Sequence, residues 1–178
     1  MITIMSKSIE RLFENAAETH LEPGANLFRA GDRVRSMFLV NAGQIDLVRH
    51  SEAGTQLILA RAGPGDVVAE ASAYSNVYHC DGTVRLHSTL LMVPVRQFRQ
   101  SLNESSDLSE AWSAYLARGL QASRMLSQVR TLKTVAQRLD AWLLDNAEVP
   151  NKGQIQDLAH LLGVSREALY RELAKRRR

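Results

Sequence analysis

The spacing of hydrophobic and polar positions changes along the chain and divides it into three segments. In the first, from about residue 22 to residue 95, short β-branched and aliphatic runs are separated by glycines, and seven of the ten glycines fall there. In the run Ile45-Asp46-Leu47, apolar and polar side chains alternate as in a half-buried strand. Comparable apolar runs occupy residues 37–40, 45–48, 56–59 and 90–93. Regular short strands with glycine turns predict a sandwich or jelly roll, flanked by short amphipathic helices at about residues 8–18 and 95–102.

The second segment has apolar residues at every third or fourth position, which predicts one long helix. The stripe runs from Leu108 to Leu132 without a proline and with a single glycine, Gly119. Asp107 fits the N-cap position, and Glu110 stands three residues later, as in a capping box. An apolar stripe of this length needs a partner surface, either the β domain of the same chain or the same helix of a second chain. The stripe alone favours the first partner, whereas the third segment favours the second.

The third segment predicts a helix at about residues 135–143 and then two short helices, at about 154–162 and 166–177. A helix-turn-helix needs a small residue where the helices approach, a turn residue that tolerates positive φ, and apolar residues between the helices. Ala159 and Gly163 meet the first two needs, and Ser165 stands at the N-cap of the second helix. The residues that fill the angle are Leu158, Leu162, Val164 and Leu169. This spacing predicts a helix-turn-helix, with an ordinary helical hairpin as the alternative.

Charge is distributed unevenly between the β-rich part and the helical part of the chain. Residues 1–110 carry 10 Lys and Arg against 13 Asp and Glu, whereas residues 111–178 carry 12 against 6, so the net charge of +3 hides a basic C-terminal third. The sequence ends in four consecutive basic residues, 175–178. A basic segment on a mildly acidic body is typical of a nucleic-acid-binding protein, although a solvated helix end has the same composition.

Specific residues of the second short helix are candidates for reading DNA. In helix-turn-helix proteins, the N-terminal residues of that helix reach base edges in the major groove. Arg166 and Arg171 have the donors to bind guanine O6 and N7, and Glu167 can accept from a cytosine amino group. The full predicted DNA-contacting set is Ser165, Arg166, Glu167, Tyr170, Arg171 and Lys175. The alternative for each charged side chain is a phosphate contact or a free surface position.

Four short motifs, in this order and spacing, resemble the catabolite-activator and fumarate–nitrate regulator (Crp–Fnr) family of bacterial transcription regulators. They are LFRAGD at 27–32, MFLVNAG at 37–43, GPGDVVAE at 63–70, and GVSRE at 163–167 followed by Arg171. The resemblance extends from about Gly24 to Arg178. It implies a β-roll effector domain, a long helix that pairs across a dimer axis, and a winged helix-turn-helix. It also implies a DNA half-site related to TGTGA.

The chain departs from the family pattern in its effector pocket. Family members that bind cyclic nucleotides place an arginine ten residues after the pocket glutamate, and it neutralises the phosphate. Counted from Glu70, that position holds Cys80, and Asp81 follows it. A cyclic phosphate would meet a carboxylate where it needs a cation, which argues against cyclic AMP as the effector. The resemblance places Ser123 where the long helix reaches the base, so the candidate pocket is Glu70, Cys80, Asp81 and Ser123, with its effector unknown.

A second departure concerns the end of the sequence. Family members continue past the recognition helix into a β-hairpin wing, whereas this sequence ends at Arg178. We therefore expect the wing to be absent and the basic cluster at 175–178 to replace some of its phosphate contacts.

Cysteine and histidine usage limits the redox, metal and enzyme alternatives. Cys80 is the single cysteine, which excludes an internal disulfide and a cysteine-only iron–sulfur or zinc site within one chain. A thiol sensor, or haem ligation by His79 or Cys80, is one interpretation. A small buried side chain is the favoured one, because no adjacent Lys or Arg lowers the thiol pKa. The histidines lack metal-ligand spacing, so we predict no metal and treat a cupin-type enzyme as a remote alternative.

Together these features predict an α+β protein that is not an enzyme. We assign residues 1–105 to a jelly-roll, cyclic-nucleotide-binding-like β-roll, 106–132 to a dimerisation helix, and 133–178 to a helix-turn-helix. The predicted protein is a homodimer that binds double-stranded DNA at a pseudo-palindromic operator and recruits or blocks RNA polymerase. We expect it in the cytoplasm, because no apolar run is long enough to span a membrane and no signal peptide is evident. The main alternative is a β-roll sensor or protein-interaction module that no longer reads DNA.

Overall fold

The computed structural model describes residues 8–51, 54, 56–144, 146, 148–151 and 154–176. It comprises two compact units, Met1–Leu116 and Ala117–Arg178, and the boundary between them falls inside a single long helix. No helix among the residues described has the length and apolar character needed to cross a bilayer.

The first unit is built on an antiparallel sheet. The strand order is β1-β6-β3-β4, with β2 paired to β6 and β5 paired to β3. The two long central strands are in register from Ser36↔Pro94 to Val48↔Asp81, with bulges that bend the pair. The strands are β1 Ala17–Leu21, β2 Asn26–Phe28, β3 Ser36–His50, β4 Gln56–Ala62, β5 Val67–Val68 and β6 Asp81–Pro94. The two apolar runs at 37–40 and 45–48 are thus parts of one strand, β3.

The predicted amphipathic helix at 8–18 is too long. Helical structure in the described part of this region covers residues 8–11, and β1 begins at Ala17. Strand β1 pairs with β6 from Ala17↔Met92 to Leu21↔Ser88. Pairing with the edge of β6 satisfies backbone groups that would otherwise be unpaired. This tertiary partner overrides the local helical pattern, and the β region begins five residues earlier than predicted.

Two helical segments complete the core of the first unit. Helix α1, Val95–Glu104, follows β6 directly, and helix α2 spans Ser106–Thr131. Phe98 and Trp112 meet edge to face with ring centroids 5.0 Å apart, and both are buried in the β-unit core. The N-cap prediction for α2 is wrong by two residues, because Ser105 Oγ accepts the Leu108 N–H at 3.3 Å. Asp107 lies in the first turn instead, where the positive end of the helix dipole stabilises its negative charge.

The second unit contains three short helices packed around one apolar core. They are α3 Val135–Leu143, α4 Ile155–Leu162 and α5 Arg166–Arg176, close to the predicted bounds. Thr134 begins α3 with a capping box to Gln137. The core consists of Val129, Leu139, Ile155, Leu158, Ala159, Leu162 and Leu169. All the predicted filling residues belong to this core or pack against it.

Candidate nucleic-acid interface and effector pocket

The connection between α4 and α5 has the turn geometry that the sequence predicts. Gly163 adopts φ +65°, a left-handed conformation that glycine adopts without steric cost. Its N–H donates to His160 O at 3.1 Å, and the Val164 N–H donates to Ala159 O at 3.0 Å. This pair of bonds is a Schellman motif, which ends α4 sharply. Ala159 is fully buried where the backbones approach, as its small size allows.

The start of α5 is capped, and it carries an ionised acceptor. Ser165 Oγ accepts the Ala168 N–H at 3.2 Å, which confirms the predicted N-cap. The pKa of the Glu167 carboxyl is lowered, first by a hydrogen bond from its own backbone N–H and then by one from the Ser165 hydroxyl. The nearby guanidinium groups of Arg166 and Arg171 lower it further. Glu167 is therefore an exposed carboxylate at the helix N-terminus, flanked by two cations.

Five of the six predicted DNA-contacting residues are exposed, and Tyr170 is half-buried. The Arg166 guanidinium lies 5.4 Å from the Tyr170 ring centroid, within cation–π range, so the aromatic ring helps to hold the arginine. Glu167 and Arg171 are four residues apart and share one face of α5. Exposed donors and one acceptor are thus grouped on the N-terminal half of this helix.

Arg176 does not belong to this surface, which corrects the expectation that the basic cluster at 175–178 replaces some of the phosphate contacts of a wing. Its guanidinium donates to Asp140 at 2.7 Å, to Glu172 at 3.0 Å and to Ala136 O at 3.1 Å. The hydrogen bond to Asp140 is the main reason that the pKa of Arg176 is raised. The side chain holds α5 against α3, because its donors are directed at the protein's own groups. Residues 177 and 178 of the basic cluster lie outside the described part of the chain.

Sequence reasoning missed two further arginines that hold the turn. Arg138 Nη1 donates to Leu162 O at 3.0 Å and to Gly163 O at 2.9 Å, and its Nε donates to Leu132 O at 2.8 Å. Arg130 Nε donates to Leu161 O at 3.1 Å. The sequence carries no sign of this role, since backbone carbonyl partners leave no pattern in the residue types.

In the first unit, three of the four predicted pocket residues are close enough to interact. Glu70 begins a 3₁₀ helix, Glu70–Tyr74, after Ala69 in a left-handed conformation with φ +57°. Cys80 is buried, as predicted, and the pKa of its thiol is raised by burial and then by the charges of Asp81 and Glu70. Arg49 is the one cation that opposes this shift. Ser123 is exposed on α2 and belongs to the second unit.

Asp81 already has protein partners. Its Oδ1 accepts the Ala30 N–H at 2.7 Å, and its Oδ2 lies 3.3 Å from His50 Nδ1. A buried neutral thiol beside two carboxylates does not favour a phosphate, because anions repel and the thiol resists ionisation. The residues present therefore do not fit the anionic group of a cyclic nucleotide. Among the described residues, no group of three or more His, Cys, Asp or Glu side chains could hold a metal ion.

Comparisons with known proteins agree with this architecture. Residues 18–105 match the family model of the cyclic nucleotide-binding domain. The cAMP-activated global transcriptional regulator CRP of Pasteurella multocida is 26% identical over 162 residues, covering 84% of this chain and 77% of that protein. The CRP-like protein Clp of Xanthomonas campestris pv. campestris is 24% identical over 191 residues, covering 98% and 83%.

Solved structures show the same fold. The c-di-GMP responsive global regulator CLP of Xanthomonas campestris superposes with a TM-score of 0.68 at 22% identity, covering 97% of this chain and 91% of that one. The catabolite activator protein of Thermus thermophilus superposes with a TM-score of 0.57 at 21% identity, covering 95% and 82%. The fold class predicted from the sequence is therefore confirmed.

The antiparallel sheet and the matched domain define a protein with a cyclic nucleotide-binding domain. Over most of its length, this chain is similar to CRP-type transcription regulators. These similarities confirm the resemblance seen in the four motifs, and they support a transcription regulator and not a cupin-type enzyme.

Proposed function

We propose that this regulator binds double-stranded DNA as a homodimer and reads a pseudo-palindromic operator. The observation that carries this proposal is the capped α4–turn–α5 arrangement with Arg166, Glu167 and Arg171 exposed on the N-terminal half of α5. These side chains have the donors and the acceptor that distinguish guanine and cytosine in the major groove. Ser165, Tyr170 and Lys175 surround them and supply contacts to the sugar–phosphate backbone.

The exposed middle of α2 supports the homodimer. The start of the helix packs on the core of the first unit through Leu108 and Trp112, whereas residues 117–128 are exposed apart from half-buried Leu126. Leu120 and Met125 are 52% and 41% exposed, which is unusual for large apolar side chains on a helix. The same helix of a second copy would cover them. A two-fold axis there would present two recognition helices about 34 Å apart, one turn of DNA.

The predicted pocket opposes the anionic effectors that the named relatives are described as using. The relatives are described as cAMP-activated or c-di-GMP responsive, whereas Cys80 and Asp81 in this chain oppose an anionic ligand in the predicted pocket. We propose that the first unit does not bind cyclic AMP through Glu70, Cys80, Asp81 and Ser123. The regulator acts in the cytoplasm by recruiting or blocking RNA polymerase at an operator whose half-site is related to TGTGA.

Selection from a randomised duplex library tests specific recognition. The wild-type protein, Arg166→Ala and the control Arg29→Ala are each selected, and binding is measured by fluorescence anisotropy at two salt concentrations. Arg29 is an exposed arginine of the first unit, so the control removes the same charge away from the proposed interface. We expect a palindrome from the wild type and the control, and a loss of about 1–3 kcal/mol with relaxed preference at one base pair in Arg166→Ala.

Two other results would contradict parts of this proposal. Weak binding that salt abolishes, without an enriched motif, would contradict the operator model and favour a sensor that acts through protein contacts. A uniform loss on all DNA sequences in Arg166→Ala would show that this residue contacts phosphate and does not read a base.

A further inference from the structure

The last turn of α4 is held by donors from its own backbone and from two other helical regions. The final four carbonyls of an α-helix have no partners within the helix, and they carry its negative dipole end. Here Ala159 O and His160 O accept from the turn backbone, Leu161 O accepts from Arg130, and Leu162 O accepts from Arg138. Every one of the four carbonyls therefore has a donor, and two of these donors are cationic.

Arg138 connects three parts of the second unit with one rigid group. It lies on α3, and its guanidinium binds Leu132 O just past the end of α2 and the carbonyls of Leu162 and Gly163 in the α4–α5 turn. A guanidinium is planar and holds its donors in a fixed geometry, so the three carbonyls are held at fixed relative positions. A Cβ added at Gly163 would lie 3.4 Å from Arg138 Nη1, which shows how closely the turn packs on this side chain.

We propose that Arg138 is a positioning residue for DNA recognition, which fixes the α4–α5 turn relative to the C-terminal end of α2 without contacting DNA. The proposal rests on the proposed function, because it concerns how the recognition helix is presented. If α2 pairs across a dimer axis, the separation of the two recognition helices depends on how firmly each is tied to its own α2. Loss of the Arg138 contacts should therefore relax the preference for half-site spacing while base preference within one half-site remains.

The direction of the Arg138 donors distinguishes it from the exposed residues of α5. Arg138 is half-buried and uses both Nη1 and Nε on protein carbonyls, whereas Arg171 is exposed and makes no hydrogen bond among the described residues. An arginine that contacts phosphate contributes about 0.9 to the slope of log affinity against log salt concentration. Arg138 should contribute nothing to that slope, and this difference gives the proposal a readout that a DNA-contacting role would not share.

The experiment compares Arg138→Gln and Arg138→Lys with the control Arg96→Gln. Arg96 is exposed on α1, outside the proposed dimer and DNA surfaces, so its replacement removes one charge without removing a carbonyl contact. Each full-length protein is titrated with the duplex that the wild type enriches and with two duplexes whose spacer is one base pair longer or shorter. We expect Arg138→Gln to bind the enriched duplex about tenfold more weakly. Its discrimination between spacers should largely disappear, with an unchanged salt slope.

Arg138→Lys separates the effect of the planar guanidinium from the effect of its positive charge. It is also the milder substitution and replaces Arg138→Gln in the experiment if that protein does not fold. Lysine keeps the cation but lacks the planar fork, so we expect it to lose spacer discrimination as well. Wild-type spacer discrimination in a folded Arg138→Lys or Arg138→Gln protein would overturn the proposal. A salt slope lowered by about 0.9 would overturn it too, since Arg138 would then contact phosphate.

A failure of the proposed function would be recognised separately. If the wild type enriches no palindrome, the operator model fails, and with it the role of Arg138 in DNA recognition. Hydrogen exchange of the Gly163 and Val164 amides then tests, without DNA, whether Arg138 holds the α4–α5 turn. Exchange about tenfold faster at these amides in Arg138→Gln, with an unchanged rate at Leu139, would support this role of Arg138. Equal rates in both proteins would overturn it.

Discussion

At the residue scale, neighbouring basic side chains near the end of α5 have different surroundings. Lys175 is exposed and has no partner among the described residues, whereas Arg176 binds Asp140, Glu172 and Ala136 O. Both residues carry the same charge and follow one another in the sequence. Their different surroundings arise because successive residues on a helix point about 100° apart, so one faces solvent and the other faces α3.

This difference predicts opposite effects for two matched substitutions. Lys175→Gln should lower the slope of log DNA affinity against log salt concentration by about 0.9 and leave thermal stability unchanged. Arg176→Gln should leave that slope unchanged and lower the free energy of unfolding by up to about 1 kcal/mol, because a largely exposed ion pair is worth little. Anisotropy titrations and urea unfolding measure the two effects. Equal changes of the salt slope and of the free energy of unfolding in both variants would contradict the different roles predicted for Lys175 and Arg176.

At the element scale, the turn between α4 and α5 depends on the backbone conformation of one glycine. Gly163 combines φ +65° with the contact to Arg138, whereas Gly119 lies in α2 with open space around an added Cβ. The sequence predicts the Gly163 turn, because a small residue and a glycine four positions apart are the signature of helices that cross closely. It does not predict Arg138, because the partners of that side chain are carbonyls brought near it by folding.

Two glycine-to-alanine substitutions should therefore have opposite signs. Gly163→Ala should lower the free energy of unfolding by about 1 kcal/mol or more, because an alanine is strained at positive φ. Gly119→Ala should raise it by up to about 1 kcal/mol, because alanine is the better helix former. Urea unfolding followed by circular dichroism measures both changes. A stabilising Gly163→Ala would show that the left-handed turn is not required.

At the scale of the whole molecule, α2 links a mildly acidic β unit to a basic helical unit. Its first turns bury Leu108 and Trp112 in the core of the first unit, and Val129 near its other end belongs to the core of the second. The middle of the helix, residues 117–128, is left exposed in the single chain. The start of the helix thus packs on the β unit of its own chain, and its exposed middle is the part that the proposed second copy would cover.

Charge placed in this exposed stretch should disrupt the proposed dimer without unfolding the chain. Leu120→Arg should sediment as a monomer, because a guanidinium buried between two apolar helices is unpaired. Gln97→Arg, at an exposed position of α1 outside this stretch, should remain a dimer. Analytical ultracentrifugation distinguishes the two, and circular dichroism checks that both variants are folded. A wild-type protein that is monomeric at every concentration would contradict the dimer.

The sequence by itself determined the resemblance to Crp–Fnr regulators, the division into a β-rich segment and helical segments, the glycine turn and the cluster of charges on α5. These follow from local spacing, which the chain carries whatever its partners are. Tertiary structure alone decided that residues 17–21 form a strand, since the edge of β6 satisfies their backbone groups. It also decided that Arg176 and Arg138 bind protein groups while Arg166 and Arg171 face solvent. Composition cannot distinguish these arginines, because the role of a guanidinium depends on which acceptors folding brings within hydrogen-bonding distance.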